Sequence, residues 1–297
     1  MTLKVLKRNG KYEPYNCKKI KKAIAFACES LEVNPLELES KFDEFIKDGV
    51  TTKSIQDNLV LHAKNLASPL NDSWLIVAGR LATMDRWNST RAYEVPFIDW
   101  YRNERQNGKW SHDKFSVYTE EEIIKLSSVI NKNRDLRHTI ASVETANSKY
   151  LYPNECIQHM FFGEALLYAS VEKPENRHQQ VLEWYEELSL NETSLATPHL
   201  MNLRQAKQVA SCFILACNDD LESIYSNITN AARISKNGGG IGFFWGLVRA
   251  KGSFLMGESG ASGGPLPFIK VLNDTLVAVN QGRKKKGCWD LCFTCMA

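Results

Sequence analysis

Short-period alternation opens the chain. Val5-Leu6-Lys7-Arg8-Asn9-Gly10-Lys11-Tyr12-Glu13 sets Asn-Gly between two runs of strand formers, the pattern of a hairpin over residues 4–15. A type I′ turn is expected there, with φ > 0 at both central residues. The period then lengthens to that of a helix. Asn16 stands as an N-cap before Ile20, Ala23, Ile24 and Ala27, with Leu31 closing the stripe, which predicts a helix over 17–31. Further helices are expected from Leu36 to Ile46, over Ile55, Leu59, Ala63 and Leu66 after Thr51-Thr52, and over residues 73–88. One hairpin and a small helical cluster make residues 1–92 a module of their own.

The next stretch, residues 93–205, is helical in pattern. Phe97 to Trp110 reads as a connector with some helix, Glu120 to Arg134 as one helix, and residues 154–190 as two amphipathic helices that pack a core. The character changes at Val209. From there to Cys217 a near-continuous apolar run predicts a strand buried on both faces, as in parallel sheets. Asp219 with Glu222 resembles a capping box; Ile224, Ile228, Ala231 and Ala232 form a helical stripe, ended by the Gly238–Gly242 cluster. Phe243 to Val248 is the next expected strand, and Pro267 opens a helix through Val279. Strand, helix, strand, helix implies a parallel α/β sheet or barrel. Only fifteen residues follow Gly282. Two or three such strands leave a broad apolar surface, so a further cover is expected.

Composition narrows the function. With 297 residues, 43% hydrophobic and 10% aromatic, the chain can build about two cored domains and is not wholly disordered. Thirty-seven basic against thirty-four acidic residues leave +3, too balanced for a partner such as nucleic acid or anionic lipid. No apolar run approaches the ~18 residues of a membrane span and no secretory signal opens the chain, so a soluble, cytoplasmic protein is expected. The eight cysteines then read as reduced thiols, and any with a task as redox-catalytic. Cys288, Cys292 and Cys295 fit no zinc spacing and the six histidines are scattered, so no metal site is expected.

Lys7-Arg8-Asn9-Gly10, Glu13, Asn16 and Lys19-Ile20 resemble the ATP cone, the regulatory module at the front of many ribonucleotide reductase large subunits. Ala196-Thr197-Pro198, Ser211-Cys212-Phe213, Asp219 to Ile224, Gly238 to Gly242, Val248 to Ser253 and Asn280-Gln281-Gly282 resemble, in order, the first part of that subunit's catalytic domain. The resemblance runs over residues 3–287. It implies a mixed α/β chain: an ATP cone at 1–92, a helical connector at 93–205, and the first strands and helices of an incomplete ten-stranded α/β barrel at 206–297. By the same resemblance the radical cysteine and the second reducing cysteine lie beyond the last residue. The chain alone is then expected to be inactive, the product of a split, interrupted or frameshifted gene.

The resemblance also implies site residues. Cys212 would be one of two thiols that reduce substrate, sharing a strand face with Ile214 and Ala216, while Cys217 of opposite parity packs in the core. Thr197, Ser211, Gly240 and Lys285 would meet substrate. Asp219, Asp220, Leu221 and Arg249 would hold a deoxynucleoside triphosphate specificity effector at a dimer interface, with Met256 where a cation is usual. Lys7, Arg8, Glu13, Asn16, Lys19 and Thr52 would contact ATP or dATP, with Asp85 and Asn88 where the family often has His and Lys. Read without the resemblance, these are ordinary caps, turn residues, a packed thiol and a solvated basic turn. The implied function is ribonucleoside-diphosphate reduction for DNA synthesis. The implied partners are a complementary carboxy-terminal fragment, a small (beta) radical subunit with a diiron-type centre, thioredoxin or glutaredoxin, and a second copy. The alternatives are a nucleotide-sensing module without a catalytic role and a non-functional remnant.

Overall fold

The structure, a computed structural model, describes residues 3–41, 46–254 and 261–279. The chain divides into two compact units, Met1–Leu195 with Leu200–Lys207, and Ala196–His199 with Gln208–Ala297.

The first unit opens with β1 (Lys4–Leu6) antiparallel to β2 (Tyr12–Pro14), in the register Val5↔Glu13. The turn differs from the expected type I′. Gly10 is left-handed at φ 79° but Asn9 is not, and Gly10 N donates to Lys7 O at 3.0 Å. The loop is therefore a β-turn across Arg8-Asn9 followed by a glycine bulge, which needs only one residue at positive φ. A two-residue strand too short to foresee, β3 (Val50–Thr51), pairs parallel to β1.

Helices pack behind this small sheet. Asn16 accepts a hydrogen bond from Lys18 N at 3.0 Å and caps α1 (Cys17–Cys28), which stops short of Leu31 because Ser30 turns left-handed at φ 60°. α2 (Pro35–Ser40) is capped by Asn34; the expected continuation toward Ile46 lies partly outside the described residues. Thr51 caps α3 (Thr52–Leu66), and α4 (Ser73–Thr90) closes the cluster over Ile24, Leu38, Leu59, Trp74 and Leu81. A Cβ on Gly79 of α4 would lie 2.2 Å from His138 O, so that backbone runs directly against the helix.

The rest of the unit is a helical core. α5 (Phe97–Gln106) realises the connector, and α6 (Glu120–Ser127) starts on a Thr119/Glu122 capping box. The expected helix to Arg134 breaks instead. Asn131 accepts from Asn133 N at 3.1 Å, starting a separate 3₁₀ turn over Lys132–Arg137, while its own N–H donates to the Tyr185 hydroxyl at 2.8 Å. α7 (Ile140–Thr145) follows. α8 (Ile157–Ala169) is not amphipathic: every residue but Tyr168 is buried, including the polar Gln158, His159 and Glu164. It packs against α9 (Pro174–Ser189). Two buried polar centres fasten the core. Asp135 accepts from Trp87 Nε1 at 2.8 Å, Tyr93 Oη at 2.9 Å and Gln158 N at 3.1 Å, and burial pushes its carboxyl up to about 6. Arg204, fully buried, lies 2.9 Å from Glu155, bonds Glu164 and stacks on Tyr152. Burial raises the Glu164 carboxyl to about 7.

The second unit is a βαβα arrangement. β4 (Cys212–Ala216) and β5 (Gly240–Phe244) pair in parallel, joined by α11 (Leu221–Lys236) and followed by α12 (Leu266–Ala278). The short α10 (Thr197–Asn202) precedes them in the chain. Three expectations change. β4 is covered on one face only: Phe213 and Leu215 are half-buried, whereas Cys212, Ile214 and Ala216 are exposed. β5 begins on Gly240 rather than Phe243, because the helix ends at Lys236 and Gly238, at φ 84°, completes the reversal. The cap of α11 is Asp220, accepting from Ser223 N at 2.7 Å, because Asp219 is engaged elsewhere. Among the described residues no helix is long and apolar enough to cross a membrane.

Candidate functional site

One cavity gathers six of the residues singled out in the sequence. Lys7 and Arg8 leave β1 into the turn, Glu13 stands on β2, Asn16 and Lys19 occupy the cap and first turn of α1, and Thr52 opens α3. All six line a single cavity of about 690 Å³. Its apolar side is formed by Val5, Ile20, Ala23, Ile55 and Leu59, and its far wall by Asn88, Ser89 and Arg91 at the end of α4. Cationic side chains and two helix first turns beside an apolar floor suit a ligand with an anionic end and a flat, weakly polar end.

The charges of this wall are internally paired. Glu13 Oε2 sits 3.5 Å from Lys19 Nζ and 3.8 Å from Lys7 Nζ. Arg8 bonds the carboxylate of Asp85 on α4, which also lies 3.5 Å from Lys53 Nζ. Partial burial lowers the Lys53 ammonium, but its hydrogen bond to Asp57 and the charges of Asp85 and Asp57 more than offset this, so its value is raised. Gln56, Ser89 and Arg91 were not foreseen. No local pattern marks Ser89 and Arg91, since the fold alone brings the end of α4 to the hairpin.

In the second unit Cys212 is exposed at the amino end of β4, opposite Gly240 of β5. Ser211 Oγ lies 3.5 Å from Cys212 Sγ, and Gly240 N donates to Ser211 O at 2.7 Å. Cys212, Ser211 and Gly240 thus form one corner, while Cys217 is fully buried. A Cβ on Gly240 would approach Ser211 O at 3.3 Å, tight but not prohibitive. The neighbouring Gly239 is the constrained one, since its Cβ would meet Ile234 at 2.6 Å and Phe213 at 2.7 Å. Thr197 opens α10. Lys285, the loop from Gln281 to Gly287, Met256 and the cysteines at 288, 292 and 295 lie outside the described residues.

Asp219 and Arg249 meet at the other end of the strands. Asp219 Oδ1 accepts from Arg249 N at 3.0 Å and Oδ2 from Arg249 Nε at 2.6 Å. The backbone hydrogen bond from Arg249, then the guanidinium itself, hold the Asp219 carboxyl below the usual range. Leu221, in the first turn of α11, is exposed beside them. This cluster follows the carboxyl ends of β4 and β5, whereas Cys212 starts β4. The strand between them rises about 13 Å, so thiol and ion pair are separate sites.

Comparison with known proteins matches three successive segments of the chain. A model of the ATP cone domain matches residues 3–88, one of the ribonucleotide reductase all-alpha domain matches residues 136–208, and one of the ribonucleotide reductase barrel domain matches residues 210–295. The chain is 41% identical over 290 residues to the ribonucleoside-diphosphate reductase subunit alpha of Synechocystis sp., a match covering 96% of this chain and 38% of that protein. It is 34% identical over 296 residues to the alpha subunit of Helicobacter pylori, covering 95% and 36%. It is 28% identical over 298 residues to ribonucleoside-diphosphate reductase 1 subunit alpha of Escherichia coli, covering 96% and 39%. The chain spans less than two fifths of the length of these relatives.

Proposed function

Since this chain belongs to the ribonucleotide reductase large-subunit family, we propose that it is the amino-terminal part of a ribonucleoside-diphosphate reductase, which makes deoxyribonucleoside diphosphates for DNA synthesis. The observation that carries this reading is the cavity on which Lys7, Arg8, Glu13, Asn16, Lys19 and Thr52 converge from separate elements. There ATP or dATP binds as effector, with its phosphates toward the cations and its base toward Ile20, Ile55 and Leu59.

Cys212 supplies one of two thiols. In the reaction the 2′ carbon–oxygen bond breaks, its oxygen leaves as water, a hydrogen takes its place, and the two thiols close to a disulfide. Thioredoxin or glutaredoxin reopens that disulfide. An exposed Sγ beside Ser211 and Gly240 suits this task, because both sugar and redox partner must reach it. Ser211, Thr197, Gly240 and Lys285 hold the substrate, and Asp219, Asp220, Leu221 and Arg249 hold the specificity effector where two copies meet. The remaining strands, the second thiol and the radical cysteine belong to the carboxy-terminal part of such a subunit, and the radical comes from a small beta subunit.

The test is reconstitution. The purified chain is mixed with the carboxy-terminal remainder of the Synechocystis alpha subunit, the matching beta subunit, ATP and a dithiol. Diphosphate reduction that Cys212→Ser abolishes is expected. ATP binding without any turnover would instead favour a nucleotide sensor, a reading supported by the cavity's lying wholly within the first unit.

A further inference from the structure

The cation best suited to grip phosphate in the cone cavity is already held by a carboxylate of the same chain. Arg8 lies on the cavity wall; its guanidinium bonds the Asp85 carboxylate and lies 3.5 Å from the Asp85 backbone oxygen. Asp85 sits one turn of α4 before Asn88 and Ser89, which line the same wall. Its other oxygen faces Lys53 Nζ at 3.5 Å, so cations from the hairpin turn and from α3 converge on one acid. The Asp85 side chain is 18% exposed and that of Arg8 33%, so the pair is partly shielded yet open to exchange. A carboxylate and a phosphate use the same planar fork of guanidinium donors. One guanidinium cannot serve both fully, and a carboxylate left with the more distant Lys53 ammonium alone still repels a polyphosphate bound beside it.

We propose that Asp85 is a built-in competitor for the phosphate-binding cation of the cone, a positioning residue that acts through Arg8 and lowers affinity for nucleotides according to the charge they carry. The inference rests on the nucleotide reading of this cavity and deepens it. A nucleoside triphosphate has to draw Arg8 away from Asp85. A neutral nucleoside, with no claim on Arg8, feels Asp85 little. Glu13 is a different case. It stands on the cavity wall between two lysines, which are point charges able to serve two anions at once.

The experiment is calorimetric titration of the full chain with ATP and with adenosine, for the natural sequence, Asp85→Asn, Asp85→Ala, Arg8→Gln and the Arg8→Gln/Asp85→Asn double variant. Both Asp85 variants are expected to tighten ATP about five- to tenfold and to leave adenosine within about twofold. The gain from Asp85→Asn should shrink to less than twofold in the Arg8→Gln background. The proposal is overturned if the Asp85 variants leave ATP unchanged or weaken it, if adenosine gains as much as ATP, or if the gain persists in full without Arg8. Absence of ATP binding in every variant would overturn the nucleotide reading of the cavity as well.

Discussion

The two units answer the same kind of sequence in opposite ways. α8 is apolar at most positions, with Gln158, His159 and Glu164 buried among them, and the run from Val209 to Cys217 is apolar but for Ser211. α8 is enclosed by Trp110, Phe115, Tyr185 and their neighbours. β4 is covered by α11 on one side and leaves Ile214 86% exposed on the other. A continuous apolar run therefore states a demand for cover on every side and does not say where the cover comes from. In the first unit, packing and buried polar pairs meet that demand internally. In the second, the open face of β4 is also the face that carries the exposed Cys212.

The contrast can be broken hardest at Arg204. Replacing it with Leu strands Glu155 and Glu164 in the core without their cation, and about 3–5 kcal/mol of the first unit's stability should be lost. Urea unfolding followed by tryptophan fluorescence measures this; a loss below about 1 kcal/mol would mean that the triad does not fasten the core. Acidity gives the next largest effect. Burial holds Asp135 at about 6 when folded, above its unfolded value, so the folded chain binds the extra proton. That contribution is complete below pH ~4 and lost as pH rises through 6, on the order of 2–3 kcal/mol. Glu164 acts in the same direction. Asp135→Asn should flatten part of the slope measured from pH 4 to 7; an unchanged slope would remove Asp135 from the explanation.

Smaller steps sharpen the comparison. Gly79→Ala drives a Cβ into His138 O at 2.2 Å and should lower the stability of the first unit by about 1–3 kcal/mol. Ile214→Thr on the open face should change stability by no more than about 0.5 kcal/mol in this chain. A large loss there would show that the face is covered in solution.

The sequence was most legible where local rules suffice. Asn16 and Thr51 cap the helices they precede, and Cys217, of opposite parity to Cys212, is buried as its place in the run suggests. It misled where a distant partner intervenes. Asp219 reads as a cap, but Arg249, thirty residues later, claims its carboxylate and leaves the cap to Asp220. Asn-Gly reads as a type I′ turn, but the turn sits one residue earlier and only Gly10 is left-handed. The cone residues were legible through family resemblance, not through periodicity. The bond between Arg8 and Asp85 joins residues 77 apart, which no local window contains.

Nucleotide binding as proposed lies within the walls of the first unit, and the open strand of the second takes no part in it. Amide hydrogen exchange of the full chain with and without ATP tests it directly. Slower exchange is expected in residues 5–19, 52–59 and 85–91, with residues 212–216 unchanged. Slowing confined to the second unit, or none anywhere at saturating ATP, would contradict it.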